Sequence, residues 1–189
     1  MMQKLFVYLS AVGAALVLGA CSPSAPPPKA APAATRPDVA TTRPDVKIDA
    51  DAVAIVARIR AAGAQFDSSV EVKPLRDAAV EGLLKQAHDY EAQQQAGPAL
   101  DAVAKALKIA PNAPDILQYQ AELQVEAGDW KLAAASAQRS YDVGPKVGAL
   151  CARNLQTLVE TNNLLGDPTD ANLARQRLAS CKVPAPVRY

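Results

Sequence analysis

Three thiols and one imidazole are the groups of this 189-residue chain best suited to covalent chemistry. His88 stands in a helical stretch with Asp89 beside it in sequence but on a different helix face, and spacing brings it no Ser or Cys nucleophile, so no catalytic dyad is expected. Cys151 and Cys181 belong to no C-x-x-C pair and have no neighbouring His, which argues against thiol redox catalysis and zinc. No P-loop, dinucleotide turn, H-E-x-x-H or calcium loop occurs. The expectation is a non-enzyme without cofactor or metal. Cys21 is different. It closes the run Leu18-Gly19-Ala20-Cys21 after a basic head at Met1–Lys4 and an apolar stretch from Leu5 to Gly19 that is short for a transmembrane helix. Two small residues let an extended backbone enter a peptidase cleft, and the thiol just beyond them is a nucleophile.

That arrangement resembles the lipobox of bacterial lipoproteins. The resemblance implies a signal peptide over 1–20, cleavage before Cys21, and a diacylglycerol thioether with an acylated amine at Cys21. Ser22, in place of Asp, implies forwarding to the outer membrane, with the chain facing the periplasm. An ordinary secretory leader with a coincidental cysteine is the other reading.

The elements that follow must position whatever the anchor carries. Residues 21–46 hold Pro23, Pro26, Pro27, Pro28, Pro32, Pro37 and Pro44 among Ala, Ser and Thr, with too little apolar bulk to offset chain entropy. They read as an extended tether reaching up to about 75 Å in a polyproline II conformation. The repeated Thr35-Arg36-Pro37-Asp38-Val39 and Thr42-Arg43-Pro44-Asp45-Val46 within it read as low-complexity expansion. A net charge of +1 offers no footprint for nucleic acid. Residues 47–79 read as an N-terminal helix and a connector. Ala52, Val53, Ile55, Val56 and Ile59 recur at helical spacing between Ile48 and Ala64, behind possible caps at Asp49 or Asp51. Phe66 to Val72 alternates apolar and polar residues and reads equally as an irregular connector or a short strand, and Pro74 to Gln95 as one long helix.

An internal period sets the fold of residues 80–183. Pro111 and Pro145 lie 34 positions apart, preceded by residues that align in type. Val80, Leu83, Ala87, Tyr90, Ala99, Val103, Ala106 and Pro111 form one unit; Leu117, Ala121, Ala133, Ala137, Ser140 and Pro145 form a second that opens at Pro114 and turns at Gly128-Asp129-Trp130. These residues resemble the tetratricopeptide repeat (TPR): small residues let two antiparallel helices approach, and proline ends each pair. Asn112 and Asp129 are placed to cap helices. Gln86, Gln120 and Gln124 depart from the pattern. A looser third unit starts near Gly148, carries Cys151, Leu155 and Leu158, turns over Asn162 to Gly166, and opens its second helix at Asp167-Pro168. The expected fold is all-α, a solenoid of about three TPR-like hairpins with an extra N-terminal helix and a tail at 184–189.

With Cys21 assigned to lipid, Cys151 and Cys181 remain as a pair at adjoining ends of the last hairpin, which favours a disulfide over two free thiols. Closing its loop would contribute about 3.5 kcal/mol on the chain-entropy model. The TPR resemblance places a partner surface on the first helix of each pair: Glu81, Leu84, His88, Glu91 and Ala92, then Asp115, Gln118, Glu122, Val125 and Glu126, then Ala149, Ala152, Gln156, Val159 and Glu160. This set is acidic and lacks the Lys and Asn of a carboxylate clamp. It suits a basic or amphipathic segment of a partner protein, or else is a solvated helix face, and charge reversal at Glu122 and Glu126 would separate the two. Lipoproteins of this architecture assist secretin assembly, barrel-protein insertion or peptidoglycan-enzyme recruitment, so the resemblance implies an envelope scaffold or assembly factor. The alternative is a structural or small-ligand envelope protein whose N-terminal helix fills the groove.

Overall fold

The computed structural model describes residues 50–66 and 75–182; the leader, Cys21, the tether with its duplicated motif and the tail lie outside this range. Seven α-helices run α1 Ala50–Gln65, α2 Ala78–Ala92, α3 Ala96–Ile109, α4 Pro114–Glu126, α5 Trp130–Val143, α6 Gly148–Leu164 and α7 Pro168–Leu178, followed by a 3-10 turn at Ala179–Cys181. Among the described residues there is no strand. α2/α3, α4/α5 and α6/α7 are antiparallel hairpins that stack in chain order.

Alanine at the helix crossings explains the stacking. Ala87 and Ala99 in the first hairpin, and Ala121 and Ala133 in the second, are fully buried, so backbones come close without a side chain between them. Val80, Leu100, Val103, Ile116 and Leu123 fill the seam between the first two hairpins, and Ala137, Cys151, Leu155 and Ala174 fill the next. Gly128 turns the second hairpin at φ +76°, a left-handed backbone that a side chain would strain.

Several local expectations need correction. α2 begins at Ala78, not Pro74, because the Asp77 carboxylate accepts from the Ala79 N–H at 2.7 Å and caps the helix there; it ends at Ala92 because Gln94 turns left-handed at φ +60°. Asp129 occupies an N-cap position without a side-chain capping bond. Asn112 does not cap α4: Ala113 holds the N-cap position in extended backbone, as the following Pro114 demands. Asp167 does cap α7, accepting from the Asp170 N–H at 3.0 Å. α6 continues through Asn162 to Leu164, so the last turn is shorter than the sequence suggests.

α1 is not a free-standing leader to the repeats. It lies across the concave side, mainly on α6 and to a lesser extent on α4. Ala52, Ile55, Val56, Ile59 and Ala62 form its buried stripe. Val53 is 45% exposed, because on a 3.6-residue period it falls about 120° around the helix from Ile59.

Candidate functional site

The concave side is the place where the sequence put a partner surface, and α1 occupies much of it. Ile55, Val56 and Ile59 form one apolar cluster with Val125 of α4 and Ala133 of α5, against which Trp130 packs. The register is held by charge. Arg58 donates twice to Glu160 on α6, at 3.0 and 2.9 Å, and Arg60 donates to Glu122 on α4 at 2.9 Å and to Glu91 on α2 at 2.6 Å. Gly63 lets the last turn of α1 lie on α6: a Cβ there would stand 2.7 Å from Cγ of Arg153 and 3.3 Å from the Ala149 carbonyl oxygen. The contact order, Arg58 to Glu160 and Gly63 to Arg153 and Ala149, runs α1 antiparallel to α6.

Glu122 is the hub. Its side chain is fully buried, and it accepts from Arg60, from Arg153 Nε at 2.8 Å, and from Gln118 at 3.0 Å. Gln118 also donates to Thr157 at 2.8 Å. A carboxylate in such a place persists only when paired and hydrogen-bonded, and two guanidinium groups meet that need. Glu91 accepts the Tyr119 hydroxyl at 2.7 Å besides Arg60. Burial works against the Glu91 carboxylate, but the bonds from Arg60 and Tyr119 outweigh it and hold its pKa below the usual range. On Tyr119 burial and the Glu91 bond act together and push the phenol well up. Arg58, bonded to Glu160, lowers that carboxyl's pKa despite partial burial.

The expected partner set therefore splits. Gln118, Glu122, Val125 and Glu126 are buried, neither solvated nor open to a partner while α1 is seated. Ala152 and Val159 are core, and Gln156 donates to Glu160 at 2.9 Å. Reversing Glu122 would break the fold's own ion pairs, so it does not distinguish a groove from a solvated face. Glu81, His88 and Asp115 remain accessible, with the buried Leu84 in the wall of an open cleft of about 560 Å³ beside the last turns of α1. His88 stacks on Tyr119 with centroids 4.5 Å apart, and its Nδ1 is 3.5 Å from Glu91. Arg76 pairs with Asp115, and with Glu81 at 3.4 Å, on the cleft's rim. Arg60 and Arg153 also line it.

The sequence reading missed Arg58, Arg60, Arg76 and Arg153. A signal existed for the first two: α1 is an amphipathic helix whose cations are both arginines, and the acidic faces downstream call for a helix of that kind. Cys151, near the start of α6, and Cys181, after α7, are joined in a disulfide with Cα atoms 5.6 Å apart, both side chains buried. It lies at the end of the last hairpin. Among the described residues, no group of three or more His, Cys, Asp or Glu is placed to hold a metal ion, and no helix is long and apolar enough to cross a membrane.

Comparison with known proteins agrees with this architecture. The globular C-terminal domain of LpoP from P. aeruginosa superposes with a TM-score of 0.51 at 26% identity, over 56% of this chain and 99% of that one. The fold is TPR-like. Two proteins of Komagataeibacter xylinus share sequence with this chain: cellulose synthase 1 operon protein C, 35% identical over 82 residues, and cellulose synthase operon protein C, 38% identical over 77. These segments are 43% and 41% of the chain, and the chain spans only 6% of either relative's length. No family model matches.

Proposed function

We propose that this protein is a lipid-anchored adaptor of the bacterial envelope, tethered through Cys21 to the outer membrane, whose TPR-like solenoid engages a protein that makes or handles envelope polysaccharide. The observation that carries the reading is the end-to-end likeness to the LpoP domain: a solenoid of this size is a complete module in that protein. The likeness to LpoP and to cellulose synthase operon protein C supports an envelope protein that works through protein contacts. The name of the latter favours polysaccharide synthesis over secretin or barrel-protein assembly. The role is one of binding: the site residues are ion pairs and packed helices, and Cys151 is spent in a disulfide.

A second reading is favoured by α1. An inner face filled by the chain's own helix suits a structural or small-ligand envelope protein, with the remaining cleft as its ligand site. Photo-crosslinking in cells from His88 in the cleft and from the exposed Leu132 and Leu173 on the outer helices separates the readings. Crosslinks to a membrane-anchored polysaccharide synthase are expected. Capture of secretin or barrel-assembly proteins instead overturns that partner class, and no protein adduct at any of the three positions favours the second reading. Replacing Cys21 by Ser is expected to abolish incorporation of labelled palmitate into the protein.

A further inference from the structure

The seam beneath α1 contains one ionisable group that its ion pairs leave out. Glu126, on the last turn of α4, is 7% exposed, and its Oε2 is buried with no hydrogen-bond partner. The charged and titratable groups around it come from every neighbouring element. Arg60 comes from α1, Glu91 from α2, and Tyr119 and Glu122 from α4 itself. Arg153 of α6 is bound to Glu122, and His88 of α2 stands beside Glu91. Arg60 directs its Nε to Glu122 and its Nη2 to Glu91. An ionised carboxylate whose Oε2 is buried here without a donor is poorly compensated, whereas the neutral acid is tolerated.

We propose that Glu126 makes the seating of α1 pH-dependent: α1 lies on the concave face while this carboxyl is protonated and loosens as it ionises, uncovering Val125 and Ala133. Burial first, and then the charge of Glu91, pushes the Glu126 pKa up to about 7, with Arg60 pulling the other way. Seating thus raises the affinity of Glu126 for its proton, and by linkage the proton favours seating. The benefit is complete below the ordinary glutamate range and is lost as pH climbs through about 7. The two carboxylates that hold Arg58 and Arg60 from α6 and α2, Glu160 and Glu91, have lowered pKa values, so they stay ionised across that window and do not mask the effect.

Hydrogen exchange on the full chain at pH 5 and pH 8, scaled for the intrinsic rate, tests this. Protection of α1 amides is expected to fall about tenfold or more between the two, while α4 and α6 core amides keep theirs. Glu126→Gln is expected to abolish the fall, and His88→Asn to leave it in place. Trp130, the sole tryptophan, packs against the apolar cluster that holds the α1 stripe and supplies a second readout in the wild-type protein: its emission should shift with a midpoint near neutral pH. Equal α1 protection at both pH values, an unchanged fall in Glu126→Gln, loss of the fall in His88→Asn, or a flat Trp130 titration each overturns the proposal.

Discussion

The concave face has two halves that start from similar sequence and end in opposite states. Around Glu122, Val125 and Glu160, α1 covers the surface and its arginines turn acidic side chains into anchors of the core. Around Leu84, His88 and Asp115, the same helix rows border an open cleft beside the last turns of α1. Glu81 and Glu122 both stand on the first helix of their hairpin, yet Glu81 is 57% exposed and Glu122 is at 0%. A carboxylate on a repeat helix is thus a surface group or a structural one according to whether a cation from elsewhere in the chain can reach it in low-dielectric surroundings.

Breaking the covered half should cost far more than breaking the open half. Glu122→Lys sets a cation against Arg60 and Arg153 in a buried site, and a loss of about 4 kcal/mol or more is expected in denaturant unfolding, with α1 released. Removing the disulfide by Cys151→Ser with Cys181→Ser should cost about 3.5 kcal/mol; a loss concentrated in exchange protection of α6 and α7 would show that the bridge secures the covered end. Asp77→Ala, which deletes the α2 cap beside the open half, should cost about 1 kcal/mol and fray only the start of α2. Arg58→Ala removes an ion pair whose arginine is 54% exposed, so a change below about 1 kcal/mol is expected, shrinking further in high salt. A large effect from Arg58 with a small one from Glu122 would reverse the comparison and move the anchor of α1 to its solvent side.

Much of the hairpin array was legible from residue types. Ala87, Ala99, Ala121 and Ala133 mark the crossings because only a small side chain fits there, and Pro114 and Pro168 mark helix starts because proline fits the first turn. The helical period of Ile55, Val56 and Ile59 revealed α1 and its apolar stripe. That the stripe would meet the groove was one of two readings and the period could not choose between them, since an amphipathic period states that a face must be buried and says nothing of its partner. The groove positions were located on the right helices and read first as open or solvated surface, with filling by the N-terminal helix as the alternative, because their acidic composition reads as solvent-facing until a counter-charge is placed.

Local chain chemistry is enough to set helix boundaries, turn positions and the pairing of neighbours in sequence, since those depend on backbone sterics and on residues a few positions apart. The burial of Glu122 depends on Arg60 and Arg153, which are 62 and 31 positions away. No spacing rule encodes such distances, and the choice between groove and core was made only when α1 came to rest where its apolar stripe and both its arginines could be satisfied together.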